Sequence, residues 1–205
     1  VSQYVDELYL NLLARLLSVN ALHGTAILSD ETQLRTIITG RYFRDYHQIE
    51  NLIESDYFGW IANPNQIDEF LPLAREIQRD LYVYDFSQRV EEDLFGRLMA
   101  QLGRKSHRKL LGQEWTPTWL ARHLAEKCHD NLPNGEAPCI VDMCCGSGTM
   151  LAESIKATKR RFGFDNLTNL RDVVTGFDID PLAVTLAKTT WILTLVDEIK
   201  TTTEP

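Results

Sequence analysis

The segment Val141-Asp-Met-Cys-Cys-Gly-Ser-Gly-Thr149 joins a short apolar run at 138–142, predicted to be a buried strand, to an amphipathic helical pattern at 149–161. Glycine at positions 146 and 148 permits a tight turn and lets a ligand come close to the backbone. Gly-x-Gly turns are common, so a strand-to-helix turn without any ligand is an open alternative. A phosphate-binding loop would need Gly-Lys followed by Ser or Thr, which is absent from this segment. A dinucleotide fingerprint would need a third glycine where Leu151 stands.

A second strand-like segment, Asp172-Val-Val-Thr-Gly-Phe-Asp178, narrows the choice of ligand because it ends on a carboxylate. In a doubly wound sheet the carboxyl ends of the first two strands lie side by side. Asp178 would then face a ligand held over Gly146 and Gly148 and accept hydrogen bonds from two ribose hydroxyls. Ile179 would offer an apolar face to an adenine ring. The pattern favours an adenosine ligand that lacks a 2′-phosphate.

Strand and helix patterns alternate in the second half of the chain. After the strand at 172–178, a helix is predicted at 181–199, with Asp180 as its N-cap and Pro181 as its first residue. Another helix is predicted before the first strand, capped by Thr116 and beginning at Pro117. This order predicts an α/β fold with a parallel sheet. The face predicted to be buried on the earlier helix consists of Leu120, Ala121, Leu124 and Ala125.

Residues 1–108 are predicted to form a helical N-terminal domain. Helical periodicity is visible at 4–19, at 30–40, around 70–77 and from Ser87 to Gly103. The range 41–66 is rich in aromatic residues and shows no clear period, and Asn63-Pro-Asn-Gln66 within it is predicted to be a loop or turn. The residues expected to face inward in the first two helices are Val5, Leu8, Leu12, Leu13, Leu16, Leu17, Leu34, Ile37 and Ile38.

Charge and hydropathy exclude several classes of protein. The net charge is −8, and both halves are acidic, so the chain is not expected to be a self-sufficient DNA-binding module. The basic connector 103–109 is predicted to be a solvated linker, with contact to a nucleic-acid backbone as the open alternative. No apolar run is long enough for a membrane span, and Asp6, Glu7 and Arg15 interrupt the first twenty residues, unlike a secretory signal. A cytoplasmic protein without membrane partners is expected, and the first residue, valine, suggests an excised segment of a longer chain.

The four cysteines, Cys128, Cys139, Cys144 and Cys145, do not have the spacing of a zinc site. With His123 and His129 nearby, a metal site is a minor alternative. We predict that the cysteines are buried, reduced thiols and that the chain has no metal site.

Together, Asp142-x-x-Cys-Gly-Ser-Gly-Thr149 and Gly176-x-Asp-Ile-Asp-Pro181 resemble the first two motifs of class I S-adenosylmethionine-dependent methyltransferases. Leu111-Gly-Gln-Glu-Trp-Thr-Pro117 resembles an element that precedes the first motif in N6-adenine DNA methyltransferases. The resemblance covers roughly 86–193. Met143 and Trp115 stand where the family usually has Pro and Tyr, and both keep apolar bulk.

The resemblance implies that residues 109–205 are the first, truncated part of a Rossmann-like methyltransferase domain that binds S-adenosylmethionine. It also implies a restriction-modification or phage-defence enzyme that binds DNA through the full-length protein, with restriction or specificity subunits as partners. The cofactor-binding residues that it implies are Trp115, Thr116, Pro117, Asp142, Cys145, Gly146, Ser147, Gly148, Thr149, Asp178 and Ile179.

The family's catalytic motif, Asn or Asp followed by Pro-Pro and an aromatic residue, occurs nowhere in the 205 residues. In the family this motif binds the target amine and stacks on the flipped base. We therefore expect no catalytic residue in this chain and an inactive fragment.

Three other functions are weighed against this one. A cytosine-C5 enzyme would need a Pro-Cys nucleophile, but Pro138-Cys139 opens the first strand, whereas that family's nucleophile follows a later one. An RNA or protein-glutamine N-methyltransferase shares the missing catalytic chemistry, and the element at 111–117 argues for DNA instead. The third is a non-enzymatic helical interaction module with a vestigial methyltransferase fold, which cofactor binding would distinguish from the enzymes.

Overall fold

The computed structural model describes residues 2–53, 57–86, 116–133 and 138–202. The chain divides into two compact units, Val1–Arg89 and Val90–Thr203. The predicted boundary at residues 108 and 109 lies outside the described residues and stays a prediction, as do the helix at 87–103 and the connector at 103–109. Within the described ranges, no helix is long and apolar enough to cross a membrane.

The described part of the first unit is helical, as predicted. Helix α1 is Ser2–His23, α2 is Glu31–Ile38, α3 is Arg41–His47, and α4 is Ile67–Leu81. A 3-10 helix at Gly59–Ala62 lies in the aromatic region for which the sequence showed no period, as does α3. Helix α1 packs on α2 and α4, and α2 packs on α3 and α4. Fully buried side chains of this core include Leu10, Leu12, Leu34, Ile37, Phe43, Phe58, Ile61 and Ile77.

Local signals explain where two of these helices begin and end. The Asp30 carboxylate accepts a hydrogen bond from the Gln33 amide at 2.7 Å and so caps α2, which begins near the predicted position. Gly24, at φ 85°, ends α1 near the predicted position. Val5 was expected to face inward and is 56% exposed. That prediction is wrong because it is the neighbouring Tyr4 that packs inward at this turn of the helix, with its ring centroid 5.3 Å from that of Tyr57. Val5 lies about 100° further around the helix.

The second unit contains a parallel two-stranded sheet in its described part. Helix α5 is Thr118–Asp130, β1 is Ile140–Asp142, α6 is Thr149–Phe162, and α7 is Leu167–Leu170. They are followed by β2 at Val174–Gly176, α8 at Pro181–Thr194 and α9 at Val196–Thr201. The strands pair in parallel, with Val141 opposite Thr175. The predicted order of strands and helices and the parallel pairing are confirmed, whereas two described strands do not establish a Rossmann-like sheet.

Helix α6 covers one face of this sheet, and the other face is exposed. Val141 is 54% exposed, so the prediction that the first strand is buried is wrong. Alternate residues of a strand point to opposite faces, and among the described elements only α6 packs extensively on the strands. A buried strand needs a helix on each face.

Two helix predictions in this unit need correction. Pro117 has ψ 141°, which is extended backbone, so it is the N-cap and α5 begins at Thr118 rather than at Pro117. The predicted helix at 181–199 is two helices, because Leu195 leaves the helical region between α8 and α9. At the start of α8 the prediction is confirmed: the Asp180 carboxylate accepts from the Leu182 amide at 2.9 Å, and Pro181 is the first helical residue.

Helices α5 and α6 pack side by side and run in the same direction. Arg122 bonds Glu153 near their beginnings, His129 bonds Thr158 further along, and Arg161 bonds the Leu132 carbonyl oxygen beyond the end of α5. The contact uses the small residues Ala121 and Ala125, both fully buried. Leu124, which was predicted to be buried with them, is 41% exposed because it lies about 100° around the helix from Ala125. The parallel packing brings the beginnings of α5 and α6 to one edge of the unit.

Candidate functional site

The carboxylate of Asp178 holds the glycine turn at the carboxyl edge of the sheet. Its Oδ2 accepts a hydrogen bond from the Gly146 amide at 2.9 Å, and its Oδ1 accepts from the Asp180 amide at 2.9 Å. The sequence predicted that Asp178 lies beside this turn, and the structure brings the two together. Each carboxylate oxygen can accept two hydrogen bonds, so this partly buried group retains capacity for further donors.

Backbone hydrogen bonds continue past the two strands and fix the turn. The Phe177 amide donates to the Asp142 carbonyl oxygen at 2.8 Å, and the Cys145 amide donates to the Phe177 carbonyl oxygen at 2.9 Å. The Asp142 side chain accepts from the Cys144 amide at 3.0 Å. Asp142 therefore shapes the turn from within, which is a role for its carboxylate that needs no ligand.

Gly148 is the N-cap of α6 and has a left-handed backbone, with φ 87° and ψ 16°. A Cβ at this position would lie 3.0 Å from the Cα of Ala187 in α8. The side chains of Ser147 and Thr149 on either side are buried. A ligand at this turn would therefore meet the main chain of 146–148 rather than the side chain of Ser147.

We expect Gly148→Ala to lower the free energy of unfolding by about 2–4 kcal/mol, since it adds a close contact to left-handed strain. Gly163→Ala is the matched control, because Gly163 also has a positive φ, 67°, but a Cβ there would have no atom within 4 Å. It should cost only about 1–2 kcal/mol. Urea unfolding followed by circular dichroism measures both variants. Equal losses would show that the approach of α8 does not require glycine at 148.

Ile179 extends from the same edge and is 94% exposed. An isolated exposed apolar residue needs no explanation, but this one directly follows the carboxylate that holds the turn. The position agrees with the predicted apolar platform for an adenine. Whether the predicted set binds a cofactor stays a prediction, and Trp115, one of its members, lies outside the described residues.

Thr116 and Pro117 precede α5 at the edge where α6 also begins, since these helices are parallel. The Pro117 carbonyl oxygen accepts from the amides of Leu120 and Ala121 at 2.9 and 3.0 Å, so the main chain there is engaged in starting the helix. Both predicted residues thus lie at the same edge as the glycine turn.

The cysteines differ from their prediction. All four are free thiols, but Cys128, Cys139 and Cys144 are exposed and only Cys145 is buried. The opposite environments of the adjacent Cys144 and Cys145 follow from their position in a turn, where one side chain points to the core and the other to solvent. Burial, with a smaller effect from the nearby charges of Asp178 and Asp142, raises the pKa of the Cys145 thiol from 9.0 to about 11.

At pH 8 we expect iodoacetamide to alkylate the three exposed cysteines quickly and Cys145 slowly. Because burial in the folded state raises the pKa of Cys145, the protonated thiol contributes to the free energy of unfolding. This contribution is present below about pH 9 and is lost as the pH rises toward 11. Mass spectrometry of the alkylated peptides checks the first effect, with urea-unfolded protein as the control in which all four react. Rapid labelling of Cys145 in folded protein would contradict its burial.

A buried ion cluster between α5 and α6 was not predicted. The side chain of Glu153 is 1% exposed, and it accepts from Arg122 Nε at 3.1 Å and from Lys156 Nζ at 2.8 Å. No sequence signal pairs Arg122 with Glu153 across two helices, so only the structure could reveal it. The sequence also did not single out Trp119, which lies outside the predicted buried face of this helix and is exposed.

The described residues hold no group of three or more His, Cys, Asp or Glu side chains that is arranged for a metal ion. Asn63, upstream, follows the 3-10 helix, and its side chain accepts from the Asn65 amide at 3.1 Å. That segment is a turn, as predicted. The carboxyl edge combines the accepting carboxylates of Asp142, Asp178 and Asp180 with exposed apolar side chains and the beginnings of two parallel helices.

A family model with the description N-6 DNA Methylase matches residues 90–203, more than half of the chain. The matched range contains the glycine turn, Asp178 and the helices that surround them. No curated protein matches the chain.

Proposed function

This chain belongs to the N-6 DNA methylase family, and we propose that residues 109–205 are the S-adenosylmethionine-binding part of an adenine-N6 DNA methyltransferase. Members of the family use S-adenosylmethionine as methyl donor. The observation that carries the proposal is the Asp178 carboxylate, held 2.9 Å from the Gly146 amide at the carboxyl edge of parallel strands. We also infer that the two strands are the start of a Rossmann-like sheet.

The residues at this edge fit the adenosine part of the cofactor. Asp178 supplies a charged acceptor for the ribose hydroxyls, whose hydrogen bonds contribute more than those to neutral groups. Ile179, almost fully exposed, supplies apolar contact area for the adenine. The turn at Gly146 lets the ligand approach the main chain without a Cβ in between.

The methionine part is assigned to the beginning of α5. Its carboxylate would be favoured near Thr116 and Pro117 because the N-terminal ends of parallel helices present main-chain amides and positive dipole ends. S-adenosylmethionine brings a methyl group that its sulfonium centre already activates. The chain's own residues orient the ligand and add no proton transfer at this site.

DNA as the substrate follows from the family, and the biological setting that we propose is restriction-modification or phage defence. The partners would be restriction or specificity subunits, with DNA bound through a longer form of the protein. The acidic balance of this chain supports the idea that duplex DNA is held elsewhere.

Isothermal titration calorimetry with S-adenosylmethionine and S-adenosylhomocysteine tests the proposal. Both should bind saturably, whereas NADP⁺ should not, because its 2′-phosphate would face the Asp178 carboxylate. NAD⁺ is the informative competitor, since it shares the adenosine but lacks the methionine. Binding of NAD⁺ without binding of either methionine compound would show that the site has been assigned to the wrong ligand.

A further inference from the structure

Trp119, in the first turn of α5, is 71% exposed. A tryptophan ring offers 150–250 Å² of surface, so leaving it in water forgoes a large stabilisation. Helix α5 packs on α6 through Ala121, Ala125 and His129, which lie on a different side of the helix. Packing of the described residues therefore gives no reason for a tryptophan at this position.

The ring lies at the edge of the unit that carries the proposed cofactor site. Arg122 is three residues beyond Trp119 and bonds Glu153, which is four residues beyond Thr149. At 1.5 Å per residue, Trp119 is thus about level with Thr149 at the start of the parallel helix α6. Thr149 directly follows the glycine turn that Asp178 holds.

Positive charge lies beside the ring. Arg122 is held by Glu153 yet keeps 52% of its side chain exposed, and Lys156 bonds the other oxygen of Glu153. Two cations thus flank one buried carboxylate, and the Arg122 guanidinium is the one of them that stays about half exposed near the ring. The carboxylates of Asp142, Asp178 and Asp180 at the same edge accept hydrogen bonds from backbone amides, which offset part of their charge.

We propose that Trp119, with Arg122 beside it, is a stacking surface for an unpaired nucleobase of the DNA substrate. An aromatic face next to an anchored cation is the combination that binds single-stranded nucleic acid, with the ring on the base and the guanidinium near the phosphate. This inference rests on the proposed function for its substrate, DNA. It adds a residue that positions the substrate on the helix preceding the first strand.

Nuclear magnetic resonance on the chain tests the contact directly. The chain has four tryptophans, and Trp119→Phe identifies the indole N–H signal of Trp119. A four-nucleotide oligodeoxyadenylate should shift that signal progressively and to saturation, while the signals of Trp60 and Trp191 stay in place. An abasic oligonucleotide of the same length, which carries the same phosphates, should shift it far less.

Saturation transfer from the protein to the adenine protons of the oligonucleotide gives the second readout. Trp119→Ala should abolish most of it, corresponding to a loss of affinity of about fivefold to 100-fold. Trp119→Phe should retain most of it because phenylalanine still stacks. Leu124→Ala is the matched control, since Leu124 is an exposed apolar residue of the same helix that lies about 140° around it from Trp119.

An unmoved Trp119 signal, or equal responses to the abasic and adenine oligonucleotides, would overturn the inference. Cofactor affinity separates this result from failure of the proposed function, since Trp119→Ala should bind S-adenosylmethionine as the unchanged chain does. If the unchanged chain binds S-adenosylmethionine and the oligonucleotide leaves the Trp119 signal unmoved, only the stacking surface is refuted. If it fails to bind S-adenosylmethionine, the proposed function is refuted, whatever the oligonucleotide does.

Discussion

Asp178→Ala is expected to weaken S-adenosylmethionine binding by about 1.5–3 kcal/mol, the range for hydrogen bonds to a charged group, which is about 10- to 150-fold in the dissociation constant. Two causes act together. The ribose hydroxyls lose their charged acceptor, and the amides of Gly146 and Asp180 lose the oxygens that hold the turn. Calorimetry on both proteins at the same temperature measures the difference.

A ligand variant separates these two causes. On the unchanged chain, an S-adenosylhomocysteine that lacks the ribose 2′-hydroxyl should bind more weakly than S-adenosylhomocysteine itself. On Asp178→Ala, the two compounds should bind with about equal affinity. Asp172→Ala is the protein control, because the Asp172 side chain is 86% exposed and forms an ion pair with its neighbour Arg171. Equal affinities of Asp178→Ala and the unchanged chain for S-adenosylmethionine would remove Asp178 from the site.

The sequence was most informative where a local rule determines the geometry. The Asp180 cap and Pro181 in the first turn of α8 each depend on a few neighbouring residues. The hydrogen bond between Gly146 and Asp178 joins residues that are 32 positions apart in the sequence. Their proximity was still predictable, because parallel strands align their carboxyl ends. One topological rule thus extended a local pattern into a candidate site.

Burial was predicted less well because it depends on which elements cover a residue. Val141 is apolar and lies in a strand, but one face of the sheet is exposed in the described part of the unit. Leu124 has helical spacing, but the small residues Ala121 and Ala125 carry the contact with α6. The exposed Trp119 and the Arg122–Glu153 pair depend on how α5 and α6 lie against each other, which no spacing within either helix specifies.

These 205 residues alone are expected to show no detectable methyl transfer to DNA, with a rate at least about 10²-fold below that of a longer form carrying an Asn-Pro-Pro-aromatic sequence. The first reason is chemical. The carboxyl edge offers carboxylates and a turn for the proposed cofactor, but the sequence lacks the tetrapeptide that is expected to accept hydrogen bonds from the target amine. Without it, nothing holds the adenine N6 within the 3–3.5 Å needed for reaction.

The second reason is electrostatic, and it determines the assay. Residues 1–89 contain 7 basic and 13 acidic side chains and residues 90–203 contain 14 and 15, so neither part is expected to attract duplex DNA while a base flips out.

The assay is incorporation of labelled methyl groups into unmethylated genomic DNA, with the chain compared with the longer form at equal cofactor saturation. Labelling by the chain alone would mean that another residue binds the amine. Labelling of cytosine by the longer form would mean that the substrate base is wrong. Adenine labelled by the longer form alone, at equal cofactor saturation of the two proteins, would place the acceptor of the amine outside these 205 residues.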